Sequence, residues 1–172
     1  MAETLVLDDL SRPFPETPLG TRWGLVTDTV MGGVSQGRLT REAVAGRSAL
    51  RLRGDVRLEN SGGFVQMALD LAPGGGVLDA RGWTGLALEV CGNGAAYGAH
   101  LRTDTVTRPW QSWRHPFPTA PQWHSLRLPF AAFAAHRIEG ALQPGRLRRL
   151  GLVAIGRAFE ADLALADLRL YR

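Results

Sequence analysis

Short segments in which apolar and polar residues alternate with a period of two make up much of the chain. Because successive side chains of a β-strand point to opposite faces of the sheet, each such segment predicts a strand with one apolar face. The clearest predicted strands cover residues 49–53, 64–71, 86–90, 97–102 and 124–128. In the last segment, 159–171, leucine pairs stand in opposite phases, which predicts one more strand with a bulge or bend between the pairs.

The 21 glycines and 10 prolines separate these segments as turn residues. About eight or nine short, one-sided strands must bury their apolar faces against a second layer. The chain is therefore predicted to be all-β, an antiparallel two-sheet sandwich in a single domain over residues 1–172. The Gly92-Asn93-Gly94 turn predicts a β-hairpin over residues 84–103. Helical patterns are scarce, and the best predicts a short helix of about two turns from Pro129 to His136.

The composition predicts a soluble protein without a membrane-spanning segment. Of the 172 residues 45% are hydrophobic, and no stretch approaches the roughly 18 consecutive apolar residues of a spanning helix, although peripheral membrane association stays open. The first nine residues lack the features of a signal or transit peptide, so a cytoplasmic location is expected. All 20 basic residues are arginine, a bias that is typical of GC-rich codon usage and indicates a bacterial source.

Few residues are arranged for catalysis or for holding a metal or cofactor. Cys91 is the only cysteine, which excludes disulfides and cysteine-based metal sites within the chain. The four histidines form no metal-binding pair in sequence, and no glycine turn continues into the helix of a dinucleotide fingerprint. We therefore predict no catalytic residue, no metal and no cofactor. The alternative is a structural calcium site where Asp8 and Asp9 meet Asp162 and Asp167, but solvated carboxylates are favoured.

Positive charge is concentrated in the second part of the chain. Residues 1–100 carry nine arginines and eleven acidic residues, whereas residues 101–172 carry eleven arginines and five acidic residues. Aromatic side chains stand among these arginines, and we predict Arg102, Trp110 and Trp113 as binding residues. Because the charge forms no single stripe, nucleic acid is not expected as a partner and an acidic protein surface is favoured. The alternative for Trp113 is burial in the core of the sandwich.

Two glycine-rich loops, residues 27–37 and 58–64, each combine a Gly-Gly step with small polar residues and a large apolar one. One interpretation is that the glycines only serve tight turns and close loop packing. The functional interpretation is a rigid surface for a ligand or partner at one end of the sandwich. The binding residues predicted from these loops are Asp28, Met31, Gly32, Gly33, Ser35, Asn60, Gly62, Gly63 and Phe64.

Four motifs in a fixed order carry a resemblance to a known family. They are Trp23 followed by VTDTVMGGVS at 26–35, LENSGGF at 58–64, the Gly92-Asn93-Gly94 turn with Tyr97, and Trp123 followed by LRLPFAAF at 126–133. Together they resemble the complex I intermediate-associated protein 30 (CIA30) domain family over about residues 20–135. Two departures are Thr27 in place of a serine and Asn93 in place of an aspartate, and an asparagine still suits a turn.

The resemblance implies a jelly-roll β-sandwich of the galactose-binding-domain-like type. It also implies a role as an assembly factor or chaperone of respiratory complex I (NADH:ubiquinone oxidoreductase), with no established catalytic residues. The leading hypothesis is a non-enzymatic protein-binding module whose partner is an assembly intermediate of a respiratory complex. The alternative is a carbohydrate-binding module that stacks Trp110 or Trp113 on a sugar ring. A small-molecule enzyme is the third hypothesis, suggested only by the pocket-forming end of such a fold.

Overall fold

The computed structural model describes residues 3–172 of the chain. Within these residues there are twelve β-strands: β1 (Thr4–Asp8), β2 (Trp23–Thr27), β3 (Gln36–Val44), β4 (Arg47–Val56), β5 (Phe64–Asp70), β6 (Gly85–Gly92), β7 (Tyr97–Thr103), β8 (Ser112–Phe117), β9 (His124–Pro129), β10 (Ala134–His136), β11 (Leu147–Ile155) and β12 (Phe159–Tyr171). Short 3-10 helices of three or four residues lie in the connections. The predicted all-β class is confirmed.

The strands form two six-stranded antiparallel sheets. In the first sheet the order is β3-β4-β12-β6-β9, and β1 also pairs with β12. In the second sheet the order is β10-β8-β7-β11-β5-β2. The register between β12 and β6 shifts between Leu165 and Asp167, which confirms the irregularity predicted in the last strand.

The core lies between the apolar faces of the two sheets. Leu52 and Leu163 of the first sheet are fully buried, and so are Met67, Leu101 and Leu150 of the second. Removing one such side chain from water contributes about 1.5–3 kcal/mol to folding. The inward-facing apolar side chains of the alternating strands therefore pack the two sheets together.

The hairpin predicted over residues 84–103 is wrong, because its two strands belong to different sheets. β6 pairs with β9 and β12, whereas β7 pairs with β8 and β11. The connection between them crosses from one layer to the other. Asn93 holds this crossing: its Nδ2 donates to the Glu160 carbonyl at 2.9 Å, and its Oδ1 accepts from the Tyr97 hydroxyl at 2.7 Å. A glycine turn between two alternating segments is compatible with both arrangements, and pairing with distant strands decides between them.

The helix predicted from Pro129 to His136 is reduced to one 3-10 turn, Phe130–Ala132. The backbone is already extended at Phe133, with φ −74° and ψ 126°, and it continues into β10, which pairs with β8. Phe130 and Phe133 are both buried, with ring centroids 6.4 Å apart. Strand pairing and burial of both rings thus prevail over the helix propensity of the alanines, which is marginal in so short a segment.

Candidate binding groove

The two glycine-rich loops are joined by the buried carboxylate of Asp28. Its Oδ1 accepts a hydrogen bond from the Ser35 backbone N–H at 2.9 Å. Its Oδ2 accepts from the Ser35 hydroxyl, from the Gly63 N–H at 2.6 Å and from the Phe64 N–H at 3.2 Å. Desolvation alone would raise the pKa of Asp28, but these donors outweigh it and hold the pKa below its ordinary value. One ionised side chain therefore fixes both loops.

The glycines beside Asp28 are required by close approach. A Cβ atom on Gly33 would lie 2.5 Å from Asp28 Cγ, and one on Gly62 would lie 2.6 Å from Asp28 Oδ2. Any larger residue at either position would displace the carboxylate. The hydroxyl of Ser35, also buried, accepts a further hydrogen bond from the Arg57 N–H at 2.8 Å and ties the loops to the end of β4.

The prediction that Asp28 and Ser35 contact a ligand directly is therefore corrected. Both side chains are buried and their hydrogen-bonding atoms face each other and the loop backbone, so they support the surface rather than form it. Gly33 is buried for the same reason. The interpretation of the glycines as serving close loop packing explains these three positions.

Large apolar side chains project into solvent around these loops. The exposed fractions are 73% for Val30, 60% for Met31, 50% for Leu58 and 54% for Trp110. We call these four residues the apolar rim. Val30 and Met31 belong to the 3-10 helix Asp28–Met31, Leu58 follows β4, and Trp110 lies in the connection from β7 to β8. They stand around a groove of about 700 Å³.

The floor of this groove is the outer face of the second sheet. We define the groove floor by six side chains from β5, β7, β8 and β11: Gln66, His100, Arg102, Arg114, Arg149 and Val153. Arg149 of β11 lies opposite both Asp70 of β5 and Arg102 of β7. His100 of β7 lies opposite Arg114 of β8. The basic side chains thus extend across three adjacent strands.

The groove floor is positively charged and has little internal compensation. Arg149 Nε lies 3.9 Å from Asp70 Oδ1, which is a long ion pair. Arg114 Nε donates to the Ser112 hydroxyl at 2.9 Å. Within residues 3–172, neither Arg102 nor Arg114 has a carboxylate oxygen within 4.0 Å, and no aspartate or glutamate lines the groove.

Burial and neighbouring charges perturb the ionisable groups of the groove floor. Burial, together with the charges of Arg149 and Arg148, lowers the pKa of Arg102 below its usual range. Burial, reinforced by the charges of Arg114 and His136, lowers the pKa of His100 to about 3. His100 is therefore neutral at physiological pH, and the positive charge of the groove floor comes from arginine alone.

The structure brings several predicted binding residues together. Met31, Gly62, Gly63, Phe64, Arg102 and Trp110 all line the groove. Asn60 is exposed beside it, and its Nδ2 donates to the Gly32 carbonyl at 3.2 Å, which links the two loops a second time. Trp113, like Asp28, Ser35 and Gly33, does not line the groove: it is buried in the core and its Nε1 donates to the Gly140 carbonyl at 3.0 Å, so its prediction as a surface contact is wrong.

Other groove residues were missed by the sequence reasoning. His100, Arg114, Arg149 and Gln66 were not predicted as site residues, although each lies in the outward phase of its strand. The alternation around His100 carried a signal, because Arg102 lies in the same phase two residues later. Strand order was needed to bring Arg149 and Gln66 beside them.

The alternative calcium site is not formed by the carboxylates considered for it. β1 does pair with β12, but Asp8 is buried and accepts from Trp23 Nε1 at 2.7 Å. Asp162 is bound by Arg51, and Asp167 by Arg169. No group of three or more histidine, cysteine, aspartate or glutamate side chains suited to a metal ion occurs within residues 3–172.

The fold and the groove define an antiparallel jelly-roll β-sandwich with a binding cleft on the outer face of one sheet. The sequence model of the family described as Complex I intermediate-associated protein 30 (CIA30) matches residues 14–165. The chain belongs to the CIA30 family. No curated protein matches it significantly in sequence. No helix within residues 3–172 has the length and apolar character needed to cross a membrane.

Solved structures with the same fold include bacterial carbohydrate-binding modules. A family 11 module from Clostridium thermocellum, in complex with a β-1,3-1,4-mixed-linked tetrasaccharide, has a TM-score of 0.74 and 12% identity over 97% of this chain and 94% of that one. The family 11 module of its cellulase Lic26A-Cel5E has a TM-score of 0.75 and 10% identity, covering 99% and 95%. A family 30 module from C. thermocellum has a TM-score of 0.56 and 13% identity, covering 78% and 90%. At these identities the likeness shows the fold alone.

Proposed function

We propose that this protein is a non-enzymatic protein-binding module that acts in the assembly of respiratory complex I. Membership of the CIA30 family supports the link to complex I intermediates. The observation that carries the proposal is the apolar rim, four large side chains from three loops that stand in solvent around one groove. Contiguous exposed apolar side chains of this kind mark interaction surfaces on soluble proteins.

The composition of the rim and floor suits a protein partner. Tryptophan, methionine and arginine are enriched at protein interfaces, and a groove lets them bury apolar area that water now covers. Each 100 Å² of apolar surface removed from water contributes about 2.5 kcal/mol. The hydrogen bonds to the Asp28 carboxylate, which we call the Asp28 hub, fix both loops in the free protein. Binding therefore costs little conformational entropy for ordering them.

We further propose that the protein works in the cytoplasm of a bacterium and reaches complex I intermediates there or by peripheral contact with the membrane. The all-arginine composition supports a bacterial source. The partner we propose is a protein rather than a nucleic acid. The positive charge is confined to the groove floor and forms no extended basic stripe, and the large apolar side chains of the rim surround it.

The experiment is affinity capture of the full chain from cells whose membranes contain complex I. Wild type is compared with the double variant Met31→Ala/Trp110→Ala, and Val77→Ala serves as control because Val77 is exposed but lies outside the groove. We expect wild type and Val77→Ala to retain complex I subunits, and the double variant to retain at least about tenfold less. Equal retention by the double variant, or no complex I subunit on any of the three, would contradict the proposal.

A carbohydrate-binding role is the second candidate, and the specific observation in its favour is Trp110. This exposed ring stands at the mouth of the groove in a fold shared with sugar-binding modules. Calorimetric titration with a β-1,3-1,4-linked tetrasaccharide tests it. Heat of binding that disappears in Trp110→Ala would support the sugar, and a flat titration would remove it.

A further inference from the structure

We infer that the groove recognises an acidic segment of its protein partner, with Arg102 and Arg114 holding a side-chain carboxylate of that segment while the apolar rim covers the neighbouring side chains. This inference rests on the proposed function and adds the chemistry of the partner. The observation behind it is the pair of guanidinium groups that line the groove without a carboxylate within 4.0 Å in residues 3–172.

The position of Arg102 is the first argument. The side chain is half-buried, and burial together with the like charges of Arg149 and Arg148 outweighs the opposite charge of Asp70, so that its pKa is lowered. A partly desolvated cation beside like charges is unfavourable in the free protein. A carboxylate placed beside it would relieve that repulsion and receive hydrogen bonds from the planar guanidinium.

The spread of charge is the second argument. Arg102 and Arg149 lie opposite each other on β7 and β11, and Asp70 only partly compensates Arg149 at 3.9 Å. Arg114 adds a third guanidinium on β8, with its Nε already used by Ser112. Within residues 3–172 its two terminal nitrogens form no hydrogen bond and are available to an acceptor. The arrangement therefore offers more donors than the groove itself can use.

The rim decides which kind of anion fits. Val30, Met31 and Leu58 are aliphatic and cannot donate hydrogen bonds to the hydroxyl groups of a polysaccharide. They would bury leucine- or phenylalanine-like side chains, and Trp110 adds one flat apolar surface. An acidic peptide with large apolar residues next to the acid satisfies both the floor and the rim, whereas an acidic sugar satisfies only the floor.

The test is calorimetric titration of the full chain with two end-blocked heptapeptides. One has the sequence Ala-Leu-Glu-Phe-Glu-Leu-Ala, and in the other both glutamates are replaced by glutamine. We expect the acidic peptide to bind at least tenfold more tightly than the neutral one, with an affinity that falls as salt is added. Arg102→Gln should abolish this difference, and Arg114→Gln should reduce it.

Arg38→Gln is the matched control. It removes the same charge from an exposed side chain of β3, at the edge of the first sheet, so it should leave the tenfold difference intact. A second arm replaces the peptide with an acidic oligosaccharide, oligogalacturonate. Tighter binding of oligogalacturonate than of the acidic peptide would overturn the assignment to protein.

The outcomes separate this inference from the proposed function. Equal binding of the acidic and neutral peptides would overturn the inference and leave capture of complex I through the apolar rim unaffected. No binding of either peptide would also overturn it. Conversely, a charge-dependent interaction that survives in Arg38→Gln, combined with a failure to capture complex I subunits, would support the acidic segment and contradict the complex I partner.

Discussion

The outer faces of both sheets carry arginines, but the two faces differ in how far carboxylates compensate that charge. On the first sheet, Arg51 binds Asp162 through two nitrogens at 2.9 and 2.7 Å and Glu42 through a third at 2.9 Å. On the second sheet, Arg102 has no carboxylate within 4.0 Å in residues 3–172. One face is therefore internally compensated, and the other presents uncompensated charge in a groove.

This difference shows that the net charge of a chain does not reveal where its uncompensated charges lie. The net charge of +4 is modest, and most of the acidic partners lie on the first sheet or in exposed loops. The second sheet keeps its arginines half-buried, where a neutralising group has the largest effect. A binding surface can thus be located by asking which charges lack a partner rather than how many there are.

The largest effect is expected from removing the anchor that holds the loops above the second sheet. Asp28→Ala leaves the Ser35, Gly63 and Phe64 donors without an acceptor in a buried site, and we expect a loss of about 3 kcal/mol in the free energy of unfolding. Urea unfolding measures it. The control is Asp55→Ala, an exposed carboxylate 3.6 Å from Arg57, for which the expected change is below about 0.5 kcal/mol. Similar losses in both variants would show that Asp28 is not a hub.

The next effect compares the two faces directly. Arg51→Ala removes three charge-assisted hydrogen bonds from partly buried partners and should cost about 1.5 kcal/mol, since solvent screens part of the interaction. Arg102→Gln should change stability by less than about 0.5 kcal/mol or increase it, because repulsion from Arg149 is relieved. Thermal and urea unfolding of both variants check this. A loss for Arg102→Gln as large as that for Arg51→Ala would contradict the unpaired state of Arg102.

The layered β-architecture could be predicted from the sequence because alternation records burial on one side of a strand. β11 was missed because the run from Leu150 to Ile155 is almost wholly apolar and shows no alternation of apolar and polar residues. Its outer face is the centre of the groove floor. The property that hid this strand from a period-two pattern is thus the property that makes it part of the site.

The candidate site could be predicted only in part, for a related reason. Met31, Phe64, Arg102 and Trp110 were found because their loops and charges are visible locally. The burial of Asp28 was not predicted, because a short polar side chain beside glycines looks the same in an exposed loop and in a buried hub. Donors from Gly63 and Phe64, thirty-five and thirty-six residues away, determine its role.

The effect that is smallest at neutral pH, and grows as the pH falls, is the pH dependence that His100 gives to the second sheet. The pKa of His100 is about 3 in the folded protein and about 6.5 when unfolded. The unfolded chain therefore binds the proton first, and stability is full above pH 6.5 and declines as the pH falls toward the folded pKa. We expect a slope of up to about 1 kcal/mol per pH unit between pH 6 and 4, which His100→Gln should remove.

A second variant tests the same histidine from another strand of the same sheet. The Gln66 side chain lies over Gly151, and Gly151 is the residue that pairs with His100. Gln66→Glu should therefore place a carboxylate near His100, raise the pKa of His100 and flatten the slope. Urea unfolding at a series of pH values measures wild type and both variants. An unchanged slope in His100→Gln would assign the pH dependence to other groups. The Gln66→Glu variant should also bind the acidic heptapeptide more weakly, because its carboxylate compensates the arginines of the second sheet as Asp162 and Glu42 compensate Arg51 on the first.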